Sequence, residues 1–96
     1  MAAYLIAFAK IKDATRLQEY AGAAAPTLVA AGGSIVGRGK LAETLAGSLS
    51  ADSALIVKFP SVAAARDWYQ SPAYQALLPL RDQVMSPTFV VIEEPA

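Results

Sequence analysis

The chain has 96 residues, enough for one domain with one core, and a chain of that length buries roughly two-thirds of its unfolded surface on folding. It is 55% hydrophobic and 17% charged, and its 8 basic side chains balance its 8 acidic ones, so no long-range field recruits nucleic acid or an anionic membrane. Cysteine and histidine are both absent, which excludes disulfides, thiolate or histidine-ligated zinc, and Ser-His or Cys-His nucleophilic pairs.

Acid-base chemistry therefore falls to a perturbed carboxylate, Lys or Tyr, and neither a metal nor a cofactor is expected. Met1-Ala2-Ala3-Tyr4 shows no basic start and no secretory cleavage pattern, and no stretch reaches the ~18 apolar residues of a membrane span. The expected location is the cytoplasm.

Tyr4 to Ile11 is rich in aromatic and branched residues and reads as a strand. From Asp13, a plausible N-cap, the apolar residues Leu17, Tyr20, Ala21, Ala24, Leu28 and Ala31 recur at spacings of three and four, which predicts a helix. Pro26 removes a backbone donor inside that helix and predicts a kink or break just before it; Gly32-Gly33 ends it. Ser34 to Leu41 reads as a weak edge strand with a bulge, because Gly37 and Gly39 forgo side-chain packing.

A polar loop, Glu43 to Ser53, follows. Ala54 to Phe59 is a short strand closed by Pro60, and Ser61 caps a helix through Tyr69. Ser71-Pro72 restarts the helix, and Tyr74, Leu77, Leu78 and Arg81 carry its pattern onward despite Pro79. Ser86-Pro87 reads as a turn and Thr88 to Glu93 as the last strand.

The resulting order is strand, helix, strand, strand, helix, strand, the α+β arrangement of ferredoxin-like folds. We expect one domain over residues 1–96, with a four-stranded antiparallel sheet and both helices on one face. The first strand puts Tyr4, Ile6 and Phe8 on one side and Leu5, Ala7, Ala9 and Ile11 on the other; the third alternates Leu55, Val57 and Phe59 with Ala54 and Ile56. Both sides are apolar, yet the helices can roof only one, so self-association through the open face is expected. The alternative is a monomer in which a long loop folds back over the sheet, for which Glu43 to Ser53 is too polar.

Phe59-Pro60-Ser61, Ala64, Trp68-Tyr69, Ser71-Pro72, Tyr74-Gln75, Leu77 and Pro79-Leu80-Arg81, with Gly32-Gly33 and Arg38-Gly39 before them, resemble the bacterial family catalogued as domain of unknown function 1330. That family lies within the dimeric α/β-barrel group, and the resemblance spans most of the chain. It implies a ferredoxin-like protomer whose sheet packs against its twin; it implies no particular reaction. The loop Glu43 to Ser53 departs from the family pattern, keeping Gly47 without an aromatic neighbour.

Arg38 and Arg81 are the leading ligand-binding candidates, because a guanidinium at the mouth of a helix-sheet cleft can clamp a small carboxylate through two parallel hydrogen bonds. Each could equally be a structural arginine. Tyr20, Trp68, Tyr69 and Tyr74 could wall an aromatic pocket, although aromatics at helical spacing in a small domain are more often core. Lys10, Lys58 and Asp67 become acid-base candidates if the sheet buries them.

Gly37-Arg38-Gly39-Lys40 fits neither a dinucleotide fingerprint, since no helix opens after it, nor a phosphate loop, since Leu41 supplies no hydroxyl. Glu93-Glu94 would point to opposite faces of a strand and reads as a solvated tail. Three functions stand open: a dimer binding a small anionic or aromatic molecule; a cofactor-independent enzyme of oxygenase or isomerase type, by fold analogy alone; and a structural dimer with no ligand.

Overall fold

The computed structural model of the chain describes residues 1–95. Strand β1 (Ala3–Ile11) pairs on one side with β3 (Ser53–Phe59) and on the other with β4 (Met85–Glu93), while β2 (Ser34–Lys40) adds to β3, giving an antiparallel sheet of order β2-β3-β1-β4. The expected central position of the first and third strands follows. Leu5 lies opposite Val57 and Val91, and Ile6 opposite Ile56 and Val90, so these two adjacent rows, one on each face, are both apolar. β2 is the edge strand expected, with its register shift between Ile35 and Gly37.

Helix α1 (Ala14–Ala30) starts on Asp13, whose Oδ1 accepts from the backbone N–H groups of Thr15 at 3.1 Å and Arg16 at 3.2 Å. Such a cap contributes about 1 kcal/mol. Of the kink or break expected at Pro26, the break does not occur: the helix runs through it. The carbonyl that the proline ring crowds belongs to Gly22, four residues earlier, and an exposed glycine can tilt its backbone to make room. At the far end Gly32 adopts φ +87°, and Gly32 and Gly33 donate to the carbonyls of Val29 and Leu28 at 3.0 and 2.9 Å, a Schellman cap.

Helix α2 (Val62–Gln70) is capped by Ser61, whose Oγ accepts from Ala64 N–H at 3.0 Å. Ser71 ends it and caps the short α3 (Pro72–Gln75); α4 (Leu78–Val84) tolerates Pro79 in its first turn, where no intrahelical donor is needed. The expected turn at Ser86-Pro87 is instead part of β4, paired with Lys10 and Ala9. Because β4 is an edge strand, a residue without an N–H fits there.

The core lies between the helices and one sheet face and is built on Leu5, Val57, Phe59, Leu28, Trp68 and Tyr74. On the opposite face Ile56, Val90 and Ile92 are 36%, 41% and 52% exposed, so that face is apolar and unroofed. The loop after β2 borders a groove over it but leaves Leu45 89% exposed, too little cover to close the face. Asp52 ties the loop down: its N–H donates to Ala9 O at 2.8 Å, its carbonyl accepts from Leu41 N–H at 2.9 Å, and its Oδ2 accepts from Ile11 N–H at 2.7 Å. Among the described residues no helix is long and apolar enough to cross a membrane.

Candidate functional site

Along α2, Val62, Ala65, Arg66 and Tyr69 share one stripe at spacings of three and four. Along β4, Pro87, Phe89 and Val91 share one face at spacing two. The two sets enclose a cleft of about 450 Å³, completed by Leu5, Trp68 and Arg81. Among the described residues its only charged lining side chains are Arg66 and Arg81, so its field favours an anion.

Arg81 sits on the inward side of α4 and is only 8% exposed. Its Nε donates to Asp82 Oδ1 at 3.0 Å, and its Nη1 donates to the hydroxyls of Tyr69 at 3.0 Å and Tyr74 at 3.5 Å. The guanidinium carbon lies 5.9 Å from the ring centre of Tyr69 and 5.6 Å from that of Phe89, within cation–π range of both. Behind it, the Tyr74 hydroxyl meets the Tyr20 hydroxyl at 2.7 Å.

Burial opposes the charge of Arg81, but its hydrogen bonds to Tyr69, Tyr74 and Asp82 outweigh that penalty and hold the group above its ordinary value. Burial raises Tyr20, reinforced by its bond to Tyr74. It also raises Tyr74, against the lowering effect of the bonds from Tyr20 and Arg81. The network is thus a fixed cation backed by neutral phenols, and no buried side-chain polar atom among the described residues lacks a partner.

The structure divides the expected site. Arg81, Trp68 and Tyr69 line the cleft, whereas Tyr20 and Tyr74 are core residues that support it from behind. Trp68 is itself largely core, its Nε1 donating to Thr27 Oγ1 at 2.9 Å. Arg38 is elsewhere: with Lys40 and Glu43 it lines a separate groove of about 550 Å³ that includes Phe8, Ala54 and Ile56 on the open face.

Lys10, Lys58 and Asp67 are all exposed, so burial gives none of them an acid-base role. Glu94 is tied in where a solvated tail was expected, accepting from the Tyr4 hydroxyl at 3.1 Å; Glu93 is exposed. Among the described residues no group of three potential metal ligands converges. Arg66 and Phe89 escaped the sequence reading, although Arg66 lies three residues before the candidate Tyr69 on the helix expected there.

A four-stranded antiparallel sheet of this order, roofed by helices on one face and holding a basic cleft beneath them, defines a ferredoxin-like α+β protein. The chain belongs to the family described as Domain of unknown function (DUF1330), whose model matches residues 2–95. No curated protein matches it.

Solved structures share the fold. RPA0582, a protein of unknown function from Rhodopseudomonas palustris, is 18% identical with a TM-score of 0.81, over 99% of this chain and 83% of its own. SnoaB, a cofactor-independent oxygenase from Streptomyces nogalater, is 10% identical with a TM-score of 0.73, over 99% of this chain and 94% of its own. A dimeric ferredoxin-like protein of unknown function from Thermobifida fusca is 16% identical with a TM-score of 0.66, over 96% and 90%. At these identities the likeness is one of fold.

Proposed function

We propose that the protein is a homodimer, paired through its open sheet face, that binds a small organic anion in the cleft between α2 and the sheet. The pairing is supported by the exposed apolar rows around Ile56, Val90 and Ile92: full burial of such a side chain is worth roughly 1.5 to 3 kcal/mol, and a third to a half of each is still in water. The fold-mate from Thermobifida fusca, described as dimeric, supports it too. The observation that carries the binding role is Arg81, a buried cation in the wall of a cleft whose lining contains no carboxylate.

A thermal-shift screen of small aromatic and aliphatic acids and phenols on the purified protein, preceded by native mass spectrometry, tests both halves. A ligand that prefers the folded state raises the melting temperature. Phe89→Ala and Arg66→Gln should weaken that shift, because both residues line the cleft. If no compound stabilises the wild type, the binding role is lost and a structural dimer remains.

A second reading, a cofactor-independent oxygenase, draws on the fold shared with SnoaB and on the phenols clustered about Arg81. Turnover of a stabilising compound with oxygen uptake would decide for it.

A further inference from the structure

We propose that the cleft selects a planar ligand presenting one anionic oxygen, a phenolate or an enolate, to Arg81 in preference to a carboxylate; this rests on the binding role proposed above. A guanidinium has five N–H groups, which grip a carboxylate only when two adjacent nitrogens are available together. At Arg81 the Nε donor is engaged by Asp82, and Nη1 by the hydroxyls of Tyr69 and Tyr74. Among the described residues Nη2 alone makes no hydrogen bond.

Each edge of the fork therefore has one tooth occupied, and the two-armed carboxylate clamp expected from the sequence is not on offer. What remains is a single nitrogen, suited to a single oxygen. A phenolate or enolate spreads its charge into a ring or conjugated plane, which the aromatic walls Trp68, Tyr69 and Phe89 can face. Tyr69 is thus a specificity-determining residue, because its hydroxyl removes the tooth that a carboxylate would need.

The test compares 4-nitrophenol with 4-nitrobenzoate, which differ only in the anionic group. Binding is read by quenching of the sole tryptophan, Trp68, which lines the cleft, and ionisation of the phenol by its visible absorbance. We expect the phenolate to bind about tenfold tighter than the neutral phenol, seen as an apparent pKa about one unit lower on the protein. Nitrobenzoate should bind about tenfold weaker than the phenolate. Tyr69→Phe releases one N–H of Nη1, the other staying with Tyr74, and Asp82→Ala frees Nε, so each variant should gain nitrobenzoate affinity by about fivefold or more.

Asp82 is exposed, so its removal leaves the fold intact and keeps the test available should Tyr69→Phe misfold. Nitrobenzoate binding the wild type as tightly as nitrophenolate, with no gain in either variant, overturns the selectivity while leaving the cleft as a binding site. Failure of both compounds to bind at millimolar concentration overturns the selectivity and the binding role together. So does binding that Arg38→Ala abolishes, because Arg38 lines the other groove.

Discussion

The hydroxyl of Tyr20 lies 2.7 Å from that of Tyr74, 54 residues further along the chain, and joins α1 to α3 in the core. Through Arg81 this pair continues to Tyr69 and the cleft, so one hydrogen-bonded chain runs from the protein interior to the candidate binding surface.

Tyr20→Phe leaves the Tyr74 hydroxyl with only its 3.5 Å partner, Arg81. The variant should lose about 1 to 2 kcal/mol in urea denaturation, the cost of a buried polar group short of its hydrogen bond. Combining it with Tyr74→Phe should cost less than the two single losses added, by about 0.5 kcal/mol or more, because the two hydroxyls serve each other.

Both phenols are raised above the ordinary value of 10.0, so at high pH the unfolded chain gives up protons that the folded chain keeps. Their contribution to stability is fully present below pH 10 and declines above it, by up to about 1.4 kcal/mol per pH unit for each tyrosine. Thermal melts between pH 9 and 11.5 should show this decline, and the double Phe variant should show a shallower one.

Ile56 stands beside Ile6 in the open-face row that Ile6 continues to Val90. In light scattering the wild type should have twice the protomer mass, and Ile56→Asp should be a monomer. A two-fold interface counts the substitution twice, and a buried unpaired carboxylate costs about 3 kcal/mol or more, enough to raise the dissociation constant over a hundredfold. Val29→Asp, on an α1 side chain already 71% exposed, should leave the mass unchanged.

Gly33 allows the end of α1 to approach the sheet: a methyl group there would lie 2.9 Å from Leu28 O, 3.0 Å from Val57 Cγ1 and 3.2 Å from Phe59 Cε1. Gly33→Ala should destabilise by about 1 to 3 kcal/mol, as overpacking does. Gly37→Ala and Gly39→Ala meet nothing within 4 Å and should stay within about 0.5 kcal/mol of the wild type.

Much of the fold was legible because its signals are local. The two apolar sides of Tyr4 to Ile11, the Asp13 cap, the Gly32-Gly33 stop and the Ser71-Pro72 restart each act within a few residues, and each appears where expected. One misreading is tertiary and one is local. Pro87 looked like a turn residue until its place on an edge strand made the missing donor harmless. At Pro26 the relief lay within the helix itself, in Gly22 four residues earlier.

The candidate site was half legible for the same reason. Arg81 and Tyr69 lie on neighbouring helices within one stretch of chain, but whether Arg38 joins them depends on sheet order and on which groove its strand borders. That is a long-range property. The meeting of Tyr20 with Tyr74 is another, and neither residue's own surroundings in the sequence reveal it.

Asp52 clips both ends of the segment 42–51 to the sheet, through Leu41 on one side and Ala9 and Ile11 on the other. Doubling the length of a flexible segment costs only about 0.6 kcal/mol in closure entropy. With its anchor in place, the stretch can be lengthened, trimmed or rewritten while the strands keep their alignment. The rim of the Arg38 groove can thus change without touching the chemistry around Arg81.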